Sequence, residues 1–132
     1  MGRLTLKVLT PAAEVVAREV DSVNLTATGG EVGILPGHAP LLAELRPGAA
    51  RYVDGSAKGA LAHSDGFLEV SGDTVLVLVQ AAESAGEIDI ERAKARLAES
   101  QTRAADGSLS GDERAAAERS VAKQQARIAV SG

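Results

Sequence analysis

The chain has 132 residues, which is the length of one folded domain with at most a small appendage. Its net charge of −4 and its scarcity of aromatic residues, Tyr52 and Phe67 alone, argue against nucleic-acid binding, which uses positive charge and stacking side chains. The absence of cysteine excludes disulfides and thiolate chemistry, and no apolar run approaches the ~18 residues that a membrane-spanning helix needs.

The first part of the chain, residues 1–84, alternates between apolar and other residues with the period of β-strands. The alternation is clearest at Leu4, Leu6, Val8, at Val23, Leu25, Ala27 and at Val75, Val77, Val79. Glycine, proline and aspartate pairs separate these short runs and supply turns. The fold class predicted is α+β, with an N-terminal antiparallel β-sandwich of about ten short strands and an aliphatic core.

One segment within this region, residues 29–42, concentrates glycine, proline and apolar residues in a shaped loop. Glycines supply unusual backbone angles, while Pro36 and Pro40 fix φ and remove two backbone donors. A structural corner and a recognition loop are both compatible with this composition. We predict the recognition loop, and its candidate interface residues are Glu31, Gly33, Ile34, Leu35, Pro36, Gly37, His38 and Pro40.

The last part of the chain, residues 85–132, is rich in alanine, arginine, glutamate, lysine and glutamine, and predicts a hairpin of two antiparallel helices. Asp89 can cap the first helix, and Ser110 with Glu113 has the spacing of a capping box, so the second helix should begin near Gly111. The apolar faces are thin, consisting of Ile90, Ala93 and Leu97 on the first helix and Ala117, Val121 and Ile128 on the second. The hairpin should therefore detach easily.

No catalytic site is predicted. His38 and His63 are the only histidines, and neither has an acidic or histidine neighbour at the spacing of a triad or a metal site. The chain has no Walker-type phosphate loop. The acidic residues Glu83, Glu87, Asp89 and Glu91 surround a predicted helix start, where carboxylates commonly complement the helix dipole.

Three segments together carry a family resemblance. They are Glu31-x-Gly33-Ile34-Leu35-Pro36-Gly37-His38-x-Pro40-Leu41, Leu45-x-Pro47-Gly48 and Gly66-Phe67-Leu68-Glu69-Val70. In this order they resemble the epsilon subunit of F-type ATP synthases. The resemblance implies a non-catalytic subunit of the rotary central stalk, which binds the gamma subunit and the c-ring, with the segment from Glu31 to His38 in that interface.

A further motif, Ile88-Asp89-x-x-Arg92-Ala93, resembles the signature of family members whose folded tail binds ATP, and Glu83 fits the same pattern. The resemblance implies a possible regulatory ATP site made of Glu83, Ile88, Asp89, Arg92, Ala93, Lys123 and Arg127, and no required cofactor. Lys123 stands where an arginine is usual, and Glu99 replaces a second arginine. A purely structural role, with Asp89 as a helix cap, is the other interpretation.

The family mechanism implies a tail with two states. Docked on the sandwich, the helices form a hairpin; extended along the stalk, their basic residues reach the alpha and beta catalytic subunits and block ATP hydrolysis. The N-terminus lacks a signal peptide, so we expect a peripheral protein on the cytoplasmic face of the bacterial plasma membrane. Two rival interpretations are a free-standing nucleotide-sensing or carbohydrate-type β-sandwich module and a small hydrolase that uses His38 or His63.

Overall fold

The structure, a computed structural model, describes residues 2–131, in which ten β-strands precede a short 3-10 turn and two α-helices. The strands are β1 (Leu4–Leu9), β2 (Glu14–Val20), β3 (Ser22–Ala27), β4 (Gly30–Ile34), β5 (Leu41–Leu45), β6 (Gly48–Asp54), β7 (Ala57–His63), β8 (Gly66–Ser71), β9 (Thr74–Val79) and β10 (Ala82–Ser84). The 3-10 turn covers Ala85–Glu87, and the helices are α1 (Ile90–Ala104) and α2 (Gly111–Ser131). The predicted fold class is confirmed.

The strands pair in the order β10-β7-β6-β3-β5-β8-β9-β1-β2, and β4 pairs with β3. All of these pairings are antiparallel except the pairing of β1 with β9, which is parallel. β2 also lies against β6, where the Arg18 guanidinium contacts the Asp54 carboxylate at 2.8 Å and stacks over Tyr52. Hydrogen bonds from Arg18 and Arg3 lower the pKa of Asp54. This cluster links the two sheet layers at the surface.

The core of the sandwich is aliphatic, as the sequence predicts, and several strands bury every second residue in it. Leu4, Leu6 and Val8 of β1 are fully buried, while the intervening residues are not. The same alternation holds in β3 and β9. One polar residue, His63 at the end of β7, shares this burial.

Both predicted helix caps are confirmed. The backbone N–H of Arg92 donates to the Asp89 carboxylate at 3.0 Å, which fixes the start of α1. The N–H of Glu113 donates to the Ser110 hydroxyl at 3.1 Å, and the N–H of Ser110 donates back to the Glu113 carboxylate at 3.4 Å. α2 therefore begins at Gly111.

The hairpin docks through α2, which lies on the outer face of β6 and β7, while α1 packs on α2. The contact is made mainly of alanines, and we call it the alanine cluster: Ala62, Ile88, Ala126 and Val130, with Ala49, Ala60 and Ala85 at its margin. Of the predicted apolar positions, Ala93 and Ala117 are buried, but Ile90 is more than a third exposed. The sheet-facing stripe of α2 is instead made by Ala126 and Val130.

Candidate functional site

The glycine- and proline-rich segment divides into a strand and a loop. Residues 30–34 form β4, which pairs with β3, and the loop itself spans residues 35–40. The N–H of Gly37 donates to the Asp73 carboxylate at 2.9 Å, and the N–H of His38 donates to the Leu35 carbonyl at 3.1 Å. Gly37 has φ +83°, a conformation that favours glycine. The loop is thus tied to the β8–β9 turn.

The predicted interface residues do not all face solvent. Ile34 is 1% exposed and belongs to the sandwich core, because it ends β4 on the inward face. Leu35 follows it and is 63% exposed. His38 is half-buried, and its Nδ1–H donates to the Ala39 carbonyl at 2.6 Å. The remaining members are Glu31, Gly33, Gly37 and Pro40, which are exposed, and Pro36, which is half-buried.

An exposed apolar surface that the sequence interpretation missed begins where this loop ends. We call Leu42, Phe67 and Leu78 the outer apolar patch; their exposed fractions are 72%, 56% and 44%. Phe67 and Leu78 are directly paired across β8 and β9, and Leu42 lies on β5, the other neighbour of β8. A groove of about 440 Å³ along Phe67 and Leu78 continues to Leu9 and Pro11.

The signal for this patch is present in the sequence. In β8 and β9 the outward positions carry the polar residues Glu69, Ser71 and Thr74, and also the apolar residues Phe67, Leu76 and Leu78. One phenylalanine and two leucines at outward positions depart from the alternation of apolar and polar residues that a solvated sheet face shows. Apolar residues on both sides of a strand, as in Val75–Val79, are therefore the sequence signal of this patch.

The junction motif contributes to a second candidate site, between the sandwich and the hairpin. Arg127 of α2 is 7% exposed, and its Nε lies 2.9 Å from Oε1 of Glu83 on β10. Its Nη2 donates to Oε2 of Glu83 at 3.4 Å, and its Nη1 donates to the side-chain oxygen of Gln124 at 2.8 Å. The structure therefore brings two predicted residues, Glu83 and Arg127, into direct contact.

The other predicted nucleotide residues are spread along the junction and the helices. Ile88 belongs to the alanine cluster, and Ala93 is fully buried. Asp89 caps α1, while Arg92 in the first turn of α1 is exposed. Lys123 is exposed and lines two cavities beside α2.

The larger of these two cavities is a cleft of about 410 Å³ between the helices and the sandwich. Arg96, Arg119 and Lys123 line it, and so do Asp65 and Glu99. Arg119 is already paired with Asp65 at 3.0 Å. The cleft has the volume of a small-molecule site, but Glu99 and Asp65 offset part of its positive charge.

The two histidines lie in different environments. His63 is 2% exposed, its Nδ1–H donates to the Ser64 carbonyl at 2.8 Å, and burial lowers the pKa of its imidazole. Its Nε2 has no hydrogen-bond partner among residues 2–131. In the same residues, no group of three or more histidine and carboxylate side chains is arranged to hold a metal ion, and neither helix has the length and apolarity needed to cross a membrane.

Solved structures show the same fold. A chain in the cryo-EM structure of the Euglena gracilis mitochondrial ATP synthase, OSCP/F1/c-ring in rotational state 1, superposes with a TM-score of 0.83 at 22% identity; the alignment covers 96% of this chain and 80% of that one. A chain of the Tetrahymena thermophila mitochondrial ATP synthase, in its central stalk/c-ring structure, gives a TM-score of 0.64 at 14% identity over 99% and 98% of the two chains.

Sequence comparison identifies closer relatives. The family described as ATP synthase, Delta/Epsilon chain, beta-sandwich domain matches residues 3–85. The ATP synthase epsilon chain of Citrifermentans bemidjiense is 44% identical over 100 residues, which are 76% of this chain and 72% of the relative. That of Solibacter usitatus is 44% identical over 128 residues, 97% of this chain and 95% of the relative. A family match over more than half of the chain and a relative aligned along nearly all of it establish that this chain belongs to the ATP synthase epsilon-chain family.

Proposed function

We propose that this chain is a non-catalytic rotor subunit of a proton-translocating F-type ATP synthase. It joins the gamma subunit to the c-ring in the central stalk, so that rotation of the ring is coupled to the catalytic head. It is peripheral, on the cytoplasmic face of a bacterial plasma membrane. Family membership supports this role, and so does the central stalk/c-ring assembly in which one structural relative was solved.

The outer apolar patch is the observation that carries the proposal. The sandwich has two outer faces: α2 covers β6 and β7, whereas Leu42, Phe67 and Leu78 on the other layer stay exposed. Large apolar side chains that cluster on the surface of a folded domain mark interfaces with other proteins. In this proposal the gamma subunit covers the patch, and the adjoining loop with Leu35 and His38 meets the c-ring.

The hairpin supplies regulation. Its alanine cluster buries little apolar area, so the docked state and an extended state differ by a modest free energy. In the extended state, the basic residues of α1 and α2 contact the alpha and beta subunits and oppose ATP hydrolysis. The docked hairpin leaves the catalytic subunits free.

ATP is the proposed regulatory ligand of the docked state. The cleft beside Arg96 and Lys123 has sufficient volume, and both side chains can make charge-assisted contacts with phosphates. ATP at 100 times its dissociation constant contributes about 2.7 kcal/mol, whereas reversing a 1:99 population requires about 5.5 kcal/mol. ATP therefore biases the hairpin and does not by itself reverse its state.

The stalk role is tested by assembly. The chain and its Phe67→Asp variant are added to an epsilon-depleted ATP synthase complex. The amount of bound chain is measured after gel filtration, and the coupling of ATP hydrolysis to proton pumping is measured in the same complexes. We expect Phe67→Asp to lose binding at least tenfold, because a carboxylate would be buried in an apolar interface. The control is Ile90→Asp, which replaces an exposed apolar residue at a helix N-terminus that favours negative charge. Equal binding by all three chains would refute the proposed interface.

The regulatory role is tested in the same complex by ATP hydrolysis with the intact chain and with a chain that ends at Gly86. We expect both to bind, and only the intact chain to inhibit. Equal hydrolysis by the two complexes would refute regulation by the helices. For the ATP site, calorimetry of the isolated chain should show binding that weakens in Lys123→Gln; no heat with ATP at millimolar concentration would contradict it.

A further inference from the structure

The contact between Arg127 and Glu83 is a partly buried ion pair at the point where the hairpin meets the sandwich. Arg127 belongs to α2 and Glu83 to β10, so the pair exists only when the hairpin is docked. Only 8% of the Arg127 side chain is exposed, against 36% of the Glu83 side chain. A buried guanidinium without a partner carries a large desolvation cost, so docking of α2 depends on an anion at this position.

Glu83 fills the anion-binding side of Arg127, but with imperfect geometry. Nε lies 2.9 Å from Oε1 without the alignment of a hydrogen bond, and the Nη2–Oε2 contact is long, at 3.4 Å. A well-formed arginine–carboxylate fork has two short parallel hydrogen bonds. The third guanidinium contact, from Nη1 to the buried Gln124, is short. The guanidinium is thus oriented by α2 itself, and the edge that contacts Glu83 is one that binds a planar or tetrahedral anion equally well in place of Glu83.

The space beside the pair is too small for a second anion. The cavity lined by Glu83, Lys123 and Arg127 has a volume of about 10 Å³, which holds about one water molecule at most. A phosphate group therefore reaches Arg127 only if the Glu83 side chain moves away.

The remaining polar contacts between hairpin and sandwich are weaker. Arg119 and Asp65 are both more than half exposed, and such pairs contribute little in water. Arg51 reaches the Ala129 carbonyl at 3.4 Å from an exposed position. The alanine cluster contributes few large apolar side chains to the contact between hairpin and sandwich. The Glu83–Arg127 pair, whose guanidinium is buried, is the polar contact on which the docked geometry depends.

We infer that Glu83 acts as a built-in anion for Arg127: it holds the hairpin docked in the absence of a ligand, and a phosphate-bearing ligand engages Arg127 only by displacing Glu83. The inference deepens the proposed regulatory function, and its nucleotide part rests on that proposal. It predicts that Glu83 competes with ATP, although sequence resemblance groups Glu83 with the residues that bind ATP.

The first experiment measures docking in the isolated full-length chain without ligand. Since the chain has no cysteine, Lys58→Cys and Gln125→Cys, both at exposed positions, provide two dye sites for single-molecule energy transfer. We expect Glu83→Gln to lower the docked-to-undocked ratio by roughly tenfold or more. Asp65→Asn, which breaks the exposed pair, should change it less than about twofold. The inference would be overturned if Glu83→Gln had the same docked-to-undocked ratio as the parent chain, or if Glu83→Gln and Asp65→Asn lowered that ratio equally.

A double variant separates the pair from a general loss of packing. In Arg127→Met the need for an anion disappears, so adding Glu83→Gln should change the docking ratio by less than about twofold. If Glu83→Gln loosens the Arg127→Met hairpin by the same factor as the parent hairpin, Glu83 does not act through Arg127. Far-ultraviolet circular dichroism and a urea transition show whether each variant keeps its sandwich.

The second experiment adds ATP. We expect ATP to restore docking in Glu83→Gln and to bind it at least tenfold more tightly than the parent chain, with no restoration in Glu83→Gln/Arg127→Met. ATP binding of equal strength to the parent and to Glu83→Gln would refute displacement. These readouts use the isolated chain, so a failure here is distinct from a failure of the proposed stalk role, which is measured in the assembled complex.

Discussion

Replacing Ala62 by leucine should lift the hairpin from the sandwich without unfolding the sandwich. Ala62 lies on the outer face of β7, is 5% exposed, and belongs to the alanine cluster with Ala126 and Val130 of α2. A leucine adds three carbon atoms at this contact. The cavity nearest to Ala62 has a volume of about 10 Å³ and cannot accept them. The added side chain must therefore displace α2.

The magnitude follows from the composition of the cluster. Ile88 and Val130 are its members larger than alanine, and burying a residue of that size contributes about 1.5–3 kcal/mol. Overpacking by a few methylenes costs about 1–3 kcal/mol, which is comparable to the contribution of one of these residues. The docking equilibrium should therefore shift toward the open state by roughly 5- to 150-fold.

Hydrogen exchange monitored by mass spectrometry checks this expectation. Amides of α2 should exchange faster in Ala62→Leu by the factor given above, while amides of β3 and β8 keep the rates of the parent chain. The matched control is Ala17→Leu, the same substitution at an exposed position of β2. Unchanged exchange in α2, or faster exchange throughout the sandwich, would refute the assignment of the alanine cluster as a small, separable docking contact.

Three further predictions concern the sandwich and its loop. Gly66→Ala should lower the urea-unfolding free energy by about 2 kcal/mol or more, because the added Cβ would lie 2.0 Å from a main-chain oxygen of β9. The control is Gly107→Ala, where the added Cβ meets open space. Equal unfolding free energies for the two variants would contradict the clash. The unfolding free energy should fall as the pH drops below 6.5, the ordinary imidazole pKa, because burial keeps His63 neutral in the folded chain while the unfolded chain binds the proton. His63→Gln should reduce this dependence of the unfolding free energy on pH, measured by urea titrations between pH 7 and 5. Asp73→Ala should speed exchange at the Gly37 amide yet cost only about 1 kcal/mol of stability, and a protected amide would contradict the loop anchor.

Features set by local chemistry were predictable from the sequence. The inward residues of β1 follow from the period-two alternation of apolar residues. The starts of α1 and α2 follow from Asp89 and Ser110, whose side chains accept hydrogen bonds from free backbone amides a few residues away. The sandwich and the hairpin were therefore identified correctly.

Features that depend on distant contacts were not predictable in the same way. α2 itself contains many alanines on several sides, so the composition could not reveal that Ala126 and Val130, rather than Ile128, face the sheet. Arg119, Lys123 and Arg127 recur every four residues along α2, as in a solvated basic face, and only the approach of β10 shows that Arg127 is buried and paired. The roles predicted for the glycine-proline loop and for the ATP motif stay predictions.

The parallel pairing of β1 with β9 has a consequence for biosynthesis. β1 can pair with β2 early in synthesis, but Thr5 also pairs with Thr74, so the other edge of β1 waits for a strand made about seventy residues later. At about 5–20 residues per second, this delay is on the order of 3–14 s, during which that edge of β1 stays unpaired. Such high contact order slows folding and favours association of nascent chains. Translation speed along residues 10–74 should therefore influence how much of this protein reaches the native state.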